Sequence, residues 1–175
     1  MPGFKELTVE NWRRADRISS LFFRSAIETP ENDGGDRWAE LLLEPRLSDR
    51  VPSEVRDLFE VARGAMLYGY FFYPLYTLGS EQLFRVFEAA LKHKCAEVNA
   101  PPELHGFGVM QKWLEARRHL AEPWRWDAIR GLRNETSHPE RQSLVTPHQA
   151  LRDLETSVSM IDSLFQMPSP CTEGK

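Results

Sequence analysis

The chain is 175 residues long, 27% charged and 41% hydrophobic, with a formal net charge of −4. That length holds one domain with a real core more comfortably than two, and the composition is that of a globular protein, not a disordered one. An acidic balance argues against a protein that coats nucleic acid indiscriminately, which requires a large excess of Lys and Arg.

The longest apolar run, Ala65 to Leu78, is interrupted by Gly69 and Pro74 and is shorter than the roughly 20 apolar residues of a membrane helix, so it reads as a buried helix with no membrane partner. No basic segment followed by an apolar one opens the sequence, and no secretory signal is expected. Cys95 and Cys171 do not make a disulfide framework, which fits a cytoplasmic location.

Nearly every strong periodicity is close to 3.6, so an all-α fold is expected. Thr8 suits the N-cap of a first helix with Trp12, Ala15, Ser19, Phe22 and Ala26 on one face. Thr29 to Asp36 reads as a surface loop, and Arg37 to Leu43 as a short helix. Pro52 belongs to the first turn of a long helix carrying Val55, Leu58, Phe59, Ala62 and Met66, which should kink or stop near Pro74. Gly79-Ser80 is expected to restart the chain, and Leu83, Phe84, Phe87, Leu91, Cys95 and Val98 mark a second core helix. Asn99 to Gly108 reads as a loop, followed by a short helix presenting Val109, Trp113 and Ala116.

Pro123 then opens a helix ending near Thr136-Ser137-His138-Pro139, because a residue before proline is steered away from helical geometry. Thr146, Pro147 and Gln149 make a capping box for a last helix carrying Leu151, Leu154, Val158, Ile161 and Phe165. The expected architecture is an antiparallel helical bundle, a single domain over residues 1–166 with its core over about 52–165 and an additional N-terminal helix. Residues 167–175 read as a flexible tail.

Arg133 and His138 are separated by four residues at the end of the Pro123 helix. Arginine offers a fixed fork of donors to phosphate oxygens, and histidine exchanges protons near neutral pH. Spacing alone does not single this pair out, since Arg141 and His148 have six residues between them. Position does more: Trp126, Ile129 and Arg133 fall on one helical face, so the guanidinium lies on the apolar stripe and calls for a structural carboxylate from another helix, a phosphate ligand, or exposure of the stripe at an open groove.

A helical chain with Leu132-Arg133-Asn134, three further residues and His138, followed by one last amphipathic helix, resembles the HEPN superfamily. The resemblance covers about residues 52–165. It implies a HEPN-like four-helix core, a homodimer whose two motifs face across the interface, and metal-independent endoribonuclease activity of the kind found in toxin–antitoxin and defence systems. By that likeness Arg133 holds the scissile phosphate, His138 assists proton transfer at the ribose 2′-hydroxyl or the leaving oxygen, and Asn134 orients nearby groups. RNA would be the substrate and an antitoxin a possible partner, although Pro139 and Glu140 stand where one toxin branch carries a modifiable tyrosine. A non-catalytic module binding a protein or a nucleotide is the alternative.

The five histidines, His93, His105, His119, His138 and His148, and the two cysteines show no metal-ligand spacing. No phosphate-binding glycine loop and no nucleophile elbow are present, so neither a metal nor a cofactor is expected. Glu81 and Glu88 share a helix face and read as solvated or as reaching the motif. Tyr68, Tyr70, Phe71, Phe72, Tyr73 and Tyr76 read as core or dimer surface before base-stacking platforms.

Overall fold

A computed structural model describes residues 4–24, 35–136 and 144–166. Among them the fold is all helical: α1 (Arg17–Arg24), α2 (Gly35–Leu43), α3 (Ser53–Tyr68), α4 (Leu75–Glu97), α5 (Phe107–Ala116), α6 (Pro123–Thr136) and α7 (Pro147–Gln166). The expected tail beyond Gln166 lies outside the described residues.

α3 and α4 form an antiparallel hairpin, with Gly69 packed on Tyr76 near the turn and Glu54 meeting His93 at 2.8 Å at the far end. α7 runs parallel to α4. Thr77 Oγ1 accepts from the Val145 amide just before α7, Ser80 Oγ donates to Asp153, and Lys94 lies by the Phe165 ring. α6 runs antiparallel to α5, with Gln111 bonded to Asp127 and Arg130 beside Gly108. The longest helix, α4, therefore packs against α3, α5, α6 and α7. Its apolar face, Leu83, Phe87 and Leu91, meets Phe59, Ala62 and Met66 of α3, Leu114 of α5, Trp126 of α6, and Leu154 and Ile161 of α7 in one buried core.

Two helix starts differ from expectation. Thr8 only closes a turn, its carbonyl accepting from the amides of Asn11 and Trp12, and Trp12 is exposed. α1 begins later because Asp16 is the stronger cap: its carboxylate accepts from the Ile18 amide at 2.8 Å and from the Tyr73 amide at 3.2 Å. The Asp16 amide also donates to Tyr70 O, Ser19 Oγ donates to Gly69 O, and Lys5 Nζ donates to Phe71 O. These bonds seat the N-terminal segment on the connection between α3 and α4. Ala26 and much of the predicted Thr29 to Asp36 loop lie outside the described residues.

The second correction is at Gly79-Ser80, which sits inside α4. The chain turns earlier: α3 ends at Tyr68 and Pro74 precedes the first residue of α4. Gly79 has a packing role instead. A Cβ there would stand 2.5 Å from Met66 Cγ and 2.9 Å from the Ala62 carbonyl oxygen, so the absence of a side chain sets how closely α3 and α4 approach.

α5 is rotated relative to its predicted face, burying Phe107, Met110, Gln111 and Leu114 while Val109 is exposed. α7 shows half of its capping box. The Gln149 amide donates to Thr146 Oγ1 at 3.2 Å, but the Gln149 side chain turns to Asp153 at 2.6 Å instead of reaching back. The aromatic cluster serves the core, with edge-to-face pairs Tyr73–Tyr76 at 5.4 Å and Trp38–Tyr76 at 5.7 Å.

Lys94 is fully buried on α4, pairing with Glu97 at 2.9 Å and lying 5.9 Å from the Phe165 ring centroid. Desolvating an ammonium offsets much of what its ion pair contributes, and Glu97, whose side chain keeps 42% of its surface accessible, stays solvated when the lysine is replaced. Lys94→Met is therefore expected to hold or raise the urea midpoint, and a drop larger than about 1 kcal/mol would show a net stabilising charge. Gly79→Ala should cost about 1–3 kcal/mol in the same titration, because the added methyl meets a backbone carbonyl that cannot rotate away.

Candidate functional site

Arg133 lies in the last turn of α6 on the stripe shared with Trp126 and Ile129. Its partner comes from α4: Nη2 donates to Glu88 Oε2 at 2.8 Å, and the guanidinium carbon stands 5.7 Å from the Phe107 ring centroid. The anion demanded by that stripe is thus supplied in part by Glu88, which is not merely on a solvated face. Glu81, two turns earlier, is exposed.

The pair is not sealed. The Arg133 and Glu88 side chains keep 38% and 36% of their surface accessible. Ion pairs open to water contribute about 0.2–1 kcal/mol, whereas breaking a fully buried pair costs about 3–5 kcal/mol. Arg133 therefore keeps a solvent-accessible edge beside its bond to Glu88. Asn134, the next residue, is exposed at the same helix end. His138 lies outside the described residues, so its distance to Arg133 is not part of this geometry.

Between Arg117 and Arg133 two further arginines are paired with carboxylates and one lies over a ring. Arg125 pairs with Glu122 at 2.8 Å, Arg130 with Asp127 at 2.9 Å, and Arg117 lies 4.0 Å from the centre of the Trp113 ring. His119 is buried against Trp113, and burial first, then Lys94 and Arg117, holds its pKa below the usual histidine range. It is a core ring.

Next to the end of α6 lies a groove of about 380 Å³ between α4 and α7, lined by Ser80, Glu81, Phe84, Leu132, Thr136 and Asp153 among others. Asp153 was not singled out by the sequence. Its carboxylate accepts from Ser80 Oγ at 2.8 Å and Gln149 Nε2 at 2.6 Å, yet burial pushes its pKa above the ordinary carboxylate value. The signal for it was present: Asp153 adjoins Leu154 at the edge of the apolar stripe, one turn after Gln149. With Glu81 and Glu135 also lining it, the groove favours cationic or hydroxylic groups over phosphate.

No protein-family model matches this chain, and no curated protein or solved structure does either.

Because the folded pKa of Asp153 is raised, the folded state holds that proton more tightly than the unfolded chain. The penalty for its charge is present at neutral pH and is relieved as pH falls through the raised value. Relative to Asp153→Asn, the wild-type chain should gain stability between pH 7 and pH 4 in urea titrations. A relative loss over that range would show that Ser80 and Gln149 outweigh desolvation.

Proposed function

We propose that this chain is a metal-independent, HEPN-like endoribonuclease that works as a cytoplasmic homodimer, of the kind used with an antitoxin or in defence. The observation that carries the proposal is Arg133 at the end of α6, oriented by Glu88 and with 38% of its side chain accessible to solvent. Arginine at that place binds the two charged oxygens of a phosphodiester and the charge that develops on them during transfer. The ribose 2′-oxygen attacks phosphorus, the bond to the 5′-oxygen breaks, and the products are a 2′,3′-cyclic phosphate and a 5′-hydroxyl. His138 takes the 2′-hydroxyl proton or gives one to the leaving oxygen, and two facing copies of the motif would supply both partners. Asn134, exposed beside Arg133, hydrogen-bonds the backbone or a neighbouring base.

A second role has its own support. The 2.8 Å bond to Glu88 and the Phe107 ring also suit Arg133 as a clamp between α4, α5 and α6 in a non-catalytic module that binds a protein or nucleotide. The two roles separate cleanly in one experiment. With a pool of labelled single-stranded RNAs and excess EDTA, the purified chain should cleave RNA and leave the matching DNA intact, since DNA lacks the 2′-hydroxyl. His138→Ala should reduce cleavage about 10²–10⁴-fold with an unchanged melting temperature. Absence of cleavage by the wild-type chain, or full activity in His138→Ala, would leave Arg133 as the clamp.

A further inference from the structure

A second cavity, of about 410 Å³, opens between α4, the 98–106 connection and the start of α5. Its interior is apolar, formed by Cys95, Ala96, Ala100, Leu104 and Met110 with the neighbouring prolines. Burial pushes the Cys95 thiol pKa up, so the sulfur there is a neutral, weakly polar wall and not a nucleophile. A volume of this size falls in the range of about 300–1,000 Å³ common for small-molecule sites.

The charge at its mouth is mixed, but its two signs are not equally committed. Three ionisable side chains, Glu88, Lys92 and His105, stand around it. Glu88 is already engaged by Arg133 at 2.8 Å, and Arg133 is not part of the cavity wall. Lys92 and His105 are exposed and form no ion pair among the described residues. Gly106 also lines the mouth; at a φ of 83° it begins α5 without a side-chain cap, so the positive end of that helix adds the same sign. Apolar walls beneath a rim where Lys92 carries a charge not committed to an ion pair and His105 offers a ring N–H favour a ligand with an apolar body and one acidic end.

We propose that this cavity binds a small amphipathic anion, with a body of one or two rings against Ala96, Ala100, Leu104 and Met110. Its carboxylate or phosphate is held by Lys92 and His105. The site uses neither the exposed face of Arg133 nor His138, so it stands whether or not the chain cleaves RNA.

Calorimetric titration of the full chain with 2-naphthoate, 2-naphthyl phosphate and uncharged 2-naphthamide tests it. At least one of the two acids should bind saturably at one site, and the better acid identifies the preferred head group. The amide should bind at least about tenfold more weakly, as expected for loss of a charge-assisted contact. Lys92→Glu, with Lys92→Gln as the milder version, should weaken the acids by a similar factor and leave the amide unchanged. Ala96→Phe, at an exposed helix position, should abolish binding of all three by filling the cavity. No saturable binding by either acid, equal binding of the amide, or wild-type affinity in variants with normal thermal melts would overturn the proposal.

Discussion

The close approach of α3 and α4 at Gly79 is the constraint on which the other placements depend. With no side chain there, the Ala62 carbonyl and the Met66 side chain of α3 lie directly against the α4 backbone. This fixes the axial position of α4, and α4 supplies one half of several polar contacts between helices. Ser80 meets Asp153 near its start, Glu88 meets Arg133 in the middle, and His93 meets Glu54 near its end. A shift of α4 by one residue, about 1.5 Å of rise and 100° of rotation, would dissolve all of these together.

The chemistry around Arg133 follows from being half inside. A guanidinium on an apolar stripe requires an anion, and Glu88 answers that requirement from the neighbouring helix. Had the pair been dry, it would have been locked in place. Being open to water on one side, it is weak enough to rearrange, which is a property suited to a phosphate site and equally to an adjustable clamp. The pairing of the neighbouring arginines has a related meaning. With Arg117, Arg125 and Arg130 committed to Trp113, Glu122 and Asp127, any RNA affinity here rests on a few contacts and not on a broad basic field.

Much of the fold was legible because periodicity and punctuation agreed. Val55, Phe59, Ala62 and Met66, then Leu83, Phe87 and Leu91, mark core faces that the structure buries, and Thr146 with Pro147 marks the start of α7. Errors arose where tertiary partners outbid local signals. Thr8 is an acceptable cap in isolation, but Asp16 has both the α1 amide and the Tyr73 amide to satisfy. Gly79-Ser80 resembles a break in the sequence, yet its glycine answers to a neighbouring helix. The stripe position of Arg133 was visible, whereas the choice of Glu88 over Glu81 depended on how α6 crosses α4. Lys94 was also readable in principle, since it follows Leu91 by three residues on the core face.

The bonds from Lys5, Asp16 and Ser19 to Gly69, Tyr70, Phe71 and Tyr73 give the N-terminal segment a role beyond covering surface. The bend between the two longest-contacting helices leaves peptide groups without helical partners, and such groups ordinarily turn to solvent. Here a distant part of the same chain takes the place of that solvent. At Gly69, Tyr70 and Tyr73 the leading residues thus act less as an appendage than as a built-in substitute for water.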